Sequence, residues 1–204
     1  LEARDVSREW VDGWKDHFRP IMIGQVRIRP PWEPALEGAA PAGAAEPAAP
    51  GGAGLVDVVI NPGLGFGTGL HPTTRGTLRL LQSLPAAGPQ AAGPSERLLG
   101  PLVDAGTGSG ILAIAAAKLG WGPVFAFDND PVALVSAREN IEANGVGGIV
   151  EVHSVDIAGS SPGWFAGATV LANMTLEPVT ALLRKLASEP GPWTGARTSA
   201  SLPT

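Results

Sequence analysis

Val103-Asp104-Ala105-Gly106-Thr107-Gly108-Ser109-Gly110-Ile111 is the stretch that decides the fold. The apolar run before it reads as a buried strand, and the acid closes that strand. Three alternate glycines then turn the chain, and the alanine-rich run from Ile111 reads as a helix. Outward from this turn the pattern repeats. A strand over 98–103 enters it, and a helix over 110–119 leaves it and stops at Gly120, a C-terminal cap. A strand over 123–127 is followed by Asp130-Pro131, a capping acid with proline at the first helical position. The helix over 131–144 stops at Asn144-Gly145. A strand over 149–153 precedes a loop with Asp156, a strand over 168–172 ends at Asn173, and a helix over 178–188 begins near Pro178. Strands alternating with helices predict an open, mostly parallel α/β sheet. Ligands of such sheets sit beyond the carboxyl ends of the strands. Asp104, Asp128, Asp156 and Asn173 all fall on that edge.

Upstream, Trp10, Trp14 and Phe18 repeat at i, i+4, i+8, with charged residues on the other faces. That spacing predicts an amphipathic helix over 8–19 whose tryptophans pack rather than bind ligand. Ile21 to Ile28 reads as one short strand. Residues 33–54 are almost wholly Ala, Gly, Pro and Glu, too poor in apolar surface to offset the entropy of ordering. Leu55 to Ile60 reads as a strand, Asn61-Pro-Gly63 as a turn, and Thr73 or Thr74 as the cap of a helix reaching Leu84. The domain plan is therefore a helix and first strand in 1–30, a flexible insertion in 31–54, an α/β domain in 55–188 with a linker at 85–96, and a disordered tail in 189–204.

The chain has 204 residues, enough for one core, a formal charge of −5 and no cysteine. The charge argues against binding nucleic acid through a basic field. The missing cysteine excludes disulfides and zinc-thiolate sites, and fits an intracellular, soluble protein. No metal site is read. No apolar run approaches the roughly 20 residues that span a bilayer. The first residue is Leu1 and no charged leader follows, so the chain reads as a fragment or a processed form.

The glycine register separates two kinds of nucleotide ligand. A nicotinamide or flavin fingerprint takes G-x-G-x-x-G. Here the glycines are 106, 108 and 110, and position 111 is Ile. Asp104 at the strand end is misplaced for a pyrophosphate but suits S-adenosylmethionine, which carries an ammonium and a sulfonium. The cofactor's own carboxylate suits the helix N-terminus. Asp128 can accept from both ribose hydroxyls, or it is a capping acid, although Asp130 is better placed to cap. Asp156 either accepts from the adenine amino group or is a solvated loop acid. A second loop, Asn61-Pro-Gly-Leu-Gly-Phe-Gly-Thr-Gly-Leu-His-Pro-Thr-Thr74, packs four glycines into seven residues. In it His71 is a general base or, preferably, a loop hydrogen-bonding group, and Thr74 caps the helix, touches the cofactor, or does both. Asn173 either orients an incoming amine by accepting its N–H or is a turn asparagine.

With these residues in hand the sequence resembles the PrmA family, the methyltransferases of ribosomal protein L11. The matching stretches are Gly63 to Thr74, Asp104 to Ala116, Asp128-Asn-Asp-Pro-Val132, Ala137-Arg-Glu-Asn140, Asn144-Gly-Val146 and Ala172-Asn173. The glycine–His-Pro-Thr-Thr loop is the specific part. The resemblance implies a Rossmann-like class I methyltransferase sheet with helices on both faces. It implies methyl transfer from S-adenosylmethionine to amino groups, chiefly lysine, of ribosomal protein L11. Carried over by position, the cofactor contacts are Thr74, Gly106, Asp128 and Asn173; the full candidate set adds Asp104, Gly108, Gly110 and Asp156, with Asn173 as the catalytic residue. The expected protein is a monomer of the cytoplasm, or of a chloroplast or mitochondrial matrix, with no direct contact to nucleic acid or membrane. Three departures stand out. The sequence reads as lacking the family's N-terminal substrate domain ahead of Trp10 and the strands expected after Asn173, and Met174-Thr175 replaces an apolar pair. The alternative expectation is therefore a truncated, inactive chain that binds cofactor weakly or serves as an interaction module. A nicotinamide-dependent oxidoreductase is disfavoured by Ile111.

Overall fold

The computed structural model describes residues 18–35, 54–62, 71–84, 100–156, 165 and 167–188. The tryptophan helix, most of the 31–54 insertion, the Gly63–Leu70 part of the second loop, the 85–96 linker and the tail lie outside the described residues.

Residues 21–28, expected as one strand, form most of a hairpin of β1 (Ile21–Ile23) and β2 (Val26–Arg29). The reason is Gly24, whose φ of +60° supplies the first central position of a tight hairpin turn. β3 (Val56–Val59) lies parallel to β2, which completes a three-stranded sheet in the order β1-β2-β3. α1 (Pro72–Ser83) follows. The larger sheet consists of β4 (Leu102–Ala105), β5 (Val124–Asp128), β6 (Val150–Ser154) and β7 (Thr169–Ala172). Its order is β6-β5-β4-β7 and every pairing is parallel. The predicted open parallel sheet is therefore present. The first of these strands was expected to stop at 103. It runs to Ala105, because β4 is paired on both sides through that residue, and Asp104 is thus inside the strand.

α2 (Ile111–Lys118) is the hub of the packing. Residues Ile111 to Ala117 are all buried. Four of them are alanines, whose small side chains let α2 pack against β3 of the small sheet, against β4, β5 and β6 of the large one, and against α1 and the next helix. That helix, α3 (Pro131–Ala143), is capped as expected by Asp130, whose carboxylate accepts the Val132 N–H at 2.9 Å. α4 (Leu176–Ser188) starts two residues before its expected position, with Pro178 in the first turn, where a missing N–H is harmless. Two apolar clusters cover the two faces of the large sheet. Leu102, Val124 and Ala126 join α2 on one side, and Val103, Phe127 and Val170 join Leu182 and Leu186 of α4 on the other. Both faces are thus buried, which is why the strands read as near-continuous apolar runs. No helix among the described residues is long and apolar enough to cross a membrane.

Candidate functional site

β4 delivers the chain to Gly106, Gly108 and Gly110, whose φ values are +71°, +55° and +81°. An L-residue pays about 1–2 kcal/mol in that region, so the alternation of glycines is a backbone requirement. The N–H groups of Gly106 and Thr107 both donate to the Phe127 carbonyl, each at 2.9 Å. Gly108 donates to the Asp128 carboxylate, also at 2.9 Å. The turn is therefore hooked onto the end of β5. A Cβ on Gly110 would lie 3.4 Å from Cα of Ala137, so the third glycine sets the approach of α2 to α3.

Asp104 is fully buried beneath this turn. One oxygen accepts the Thr107 hydroxyl at 2.7 Å and the Ala113 N–H at 3.1 Å. The other has no hydrogen-bond partner among the described residues. Burial pushes the carboxyl up from 3.8 to about 6; the bonds from Thr107 and Ala113 oppose the rise, and the Asp128 charge adds to it. The folded chain thus holds this proton more tightly than the unfolded chain. The resulting stability is fully present below about pH 4 and is lost as the pH climbs through about 6. Asp104→Asn is expected to flatten that dependence and to stabilise the chain above pH 6 by up to roughly 3 kcal/mol. Urea denaturation of both proteins at about pH 5 and about pH 7.5 measures it; an unchanged slope contradicts it.

A cavity of about 470 Å³ opens beyond the carboxyl ends of the four parallel strands. Each strand contributes to its wall: Gly106 and Gly108 after β4, Asp128 at the end of β5, Asp156 after β6, and Met174 after β7. Asp130 and Glu177 add two further carboxylates, and no cationic side chain among the described residues lines it. Such a wall favours a ligand that carries positive charge. Phe127, Val155 and Ala181 supply apolar surface for a flat ring. Asp128 is held rigidly, with its second oxygen accepting the Asp130 N–H at 3.0 Å. The Met174 side chain rests over Gly106, where a Cβ would come within 2.5 Å of its Cγ and Sδ.

Asn173 and Thr74, 99 residues apart, meet beside this cavity. The Asn173 Nδ2 donates to the Thr74 hydroxyl at 3.1 Å, which commits the amide's donor side and leaves its oxygen as an acceptor. Thr74 is buried in the first turn of α1. The cap of that helix is neither threonine but His71, whose Nδ1 accepts the Thr73 N–H at 3.3 Å and lies 2.6 Å from its hydroxyl. Pro72 at the first helical position puts the cap at residue 71, two residues before Thr73 and three before Thr74. The hydrogen-bonding reading of His71 is the one this geometry carries.

The structure thus gathers Gly106, Gly108, Asp128 and Asp156 on one cavity, with the Asn173–Thr74 pair beside it. Asp104 and Gly110 sit behind the turn, outside the cavity wall. Two further residues escaped the sequence reading as site groups. Asn140 on α3 and Asn144 at its C-terminal cap are each 1% exposed; the Asn140 amide ties Asn61, after β3, to the glycine turn, and the Asn144 amide ties β3 to the end of α3. The available signal was two asparagines at i, i+4 on the apolar side of a helix.

Residues 4–199 match the family described as ribosomal protein L11 methyltransferase (PrmA). Among curated relatives, the ribosomal protein L11 methyltransferase of Citrifermentans bemidjiense is 36% identical over 190 residues, covering 92% of this chain and 55% of that protein. The protein of the same name from Geobacter sulfurreducens is 40% identical over 184 residues, covering 90% of this chain and 51% of its own length. The chain spans about half the length of these relatives. Among solved structures, the ribosomal protein L11 methylase of Lactobacillus delbrueckii subsp. bulgaricus aligns with a TM-score of 0.58 at 26% identity, covering 84% of this chain and 74% of that one.

Proposed function

Because the chain belongs to the ribosomal protein L11 methyltransferase family, we propose that its cavity binds S-adenosylmethionine. We propose further that the whole protein methylates amino groups, chiefly of lysine, on ribosomal protein L11. The observation that carries this reading is the joint between Asp128 and the glycine turn. A carboxylate fixed by two backbone N–H groups stands beside bare backbone, on a wall that, among the described residues, holds four acids and no cation.

The cofactor supplies a methyl group on a positively charged sulfur. In this reading Asp128 accepts the two ribose hydroxyls, Asp156 accepts the adenine amino group, and Gly106 and Gly108 give the ligand access to the main chain. Thr74 holds Asn173, and the Asn173 oxygen accepts an N–H of the incoming amine, directing its lone pair toward the methyl carbon. Positioning of this kind supplies most of the rate. The substrate ammonium loses its proton before attack; no strong base stands at Asn173 among the described residues, so water is the acceptor in this account. The four carboxylates also favour the approach of a basic protein. A ribosomal substrate places the reaction in whichever compartment holds the ribosome, and the net charge of −5 supports contact with the protein rather than with RNA.

A second reading, a chain that holds the cofactor without turning it over, is favoured by β7, which pairs only with β4 among the described residues and leaves an open edge. Incubating the chain with methyl-labelled S-adenosylmethionine and unmodified large ribosomal subunits separates the two. Label on the L11 band is the expected result. Cofactor binding without label selects the second reading, and neither binding nor label overturns both.

A further inference from the structure

This inference rests on the cofactor reading above and concerns how the glycine turn and the residue Asn61, just after β3, are kept in register. Asn140 lies on α3, outside the cavity wall, and is buried. Its Oδ1 accepts the N–H of Asn61 at 2.9 Å, and its Nδ2 donates to the carbonyl of Ser109 at 2.9 Å. Ser109 is inside the glycine turn. Asn61 is the second residue after β3, where the chain sets out toward His71 and Thr74. One side chain therefore grips both segments, with its acceptor on one and its donor on the other. Only an uncharged amide of this length offers that pair of groups; an aspartate keeps the acceptor and loses the donor.

One helical turn on, Asn144 uses the same chemistry differently. Its Oδ1 accepts the Val59 N–H at 2.9 Å, and its Nδ2 donates to the Val59 carbonyl at 2.6 Å and to the Asn140 carbonyl at 2.7 Å. It anchors β3 to α3 without touching the glycine turn. The two asparagines thus separate a purely structural clamp from a link between loops.

We propose that Asn140 is a positioning residue that couples the glycine turn to Asn61, so that a ligand seated on the turn also steadies that residue. In the wild-type chain, saturating S-adenosylhomocysteine slows hydrogen exchange at the Asn61 amide. Asn140→Asp removes the grip on Ser109, weakens S-adenosylhomocysteine binding by about tenfold, and makes exchange at Asn61 insensitive to the ligand. Asn144→Asp lowers the melting temperature while the affinity of the folded chain stays within about twofold of wild type, a difference of no more than roughly 0.4 kcal/mol.

The experiment combines calorimetric titration with amide exchange on the wild type and both variants. Ligand-dependent protection of Asn61 in the wild type, lost in Asn140→Asp, supports the coupling. Wild-type binding with no change at Asn61 overturns it, as does an Asn140→Asp chain that keeps wild-type affinity and response. Should Asn140→Asp not fold, the wild-type exchange result decides alone. A folded wild-type chain that binds no S-adenosylhomocysteine overturns the cofactor reading itself, and the coupling with it.

Discussion

Replacing Gly106 with valine is expected to abolish S-adenosylhomocysteine binding and to destabilise the fold by roughly 2–4 kcal/mol. Two costs combine. The residue has a φ of +71°, and a β-branched side chain is a true outlier there. The new Cβ would also come within 2.5 Å of the Met174 side chain, on the wall of the cavity. Any relaxation that clears Met174 drives one of the two side chains into the space the ligand needs. It also strains the N–H bonds of Gly106 and Thr107 to Phe127. Gly106→Ala shows the same effects at smaller size. Calorimetric titration and urea denaturation on one preparation test both; a valine variant that binds within about threefold of wild type, less than 1 kcal/mol, contradicts the role given to the bare turn.

Asp128→Ala should weaken the same ligand by about 100-fold or more. Hydrogen bonds to a charged group are worth about 1.5–3 kcal/mol each, and two ribose hydroxyls are proposed to use this carboxylate. Every 1.4 kcal/mol is about tenfold in affinity. The substitution also frees the N–H groups of Gly108 and Asp130, so the turn loses its tie to β5. Asp128→Asn keeps one acceptor in place and should fall between alanine and wild type. An alanine variant with unchanged affinity removes Asp128 from the site.

Much of this arrangement was legible because the strands of the large sheet are buried on both faces and bounded by strong punctuation. Asp130-Pro131 and Asn144-Gly145 mark the ends of α3 in the sequence and in the structure alike. Position on the carboxyl edge follows from alternation alone, so Asp128 and Asp156 were placed correctly. The side an acid faces does not follow. An aspartate at a strand end points either to the ligand or back beneath the turn, and only the packing of α2 over β4 decides that Asp104 is buried. Gly110 shows the same limit, since a glycine required for φ and one required for helix contact look identical in a sequence. The Gly24 hairpin was missed because apolar residues continue on both sides of the turn. Asn140 and Asn144 were missed as clamps because polar residues in a helix read as its wet face, and their partners Asn61 and Val59 lie about 80 residues upstream.

The cofactor proposal requires the carboxyl edge to accept an amino-acid nucleoside that carries no phosphate. Titrating S-adenosylhomocysteine and, separately, NAD into the folded chain by calorimetry tests that most directly. Saturable one-to-one binding of the first and none of the second is expected. Binding of NAD, or no heat from S-adenosylhomocysteine with a chain whose circular dichroism confirms the fold, contradicts the proposal.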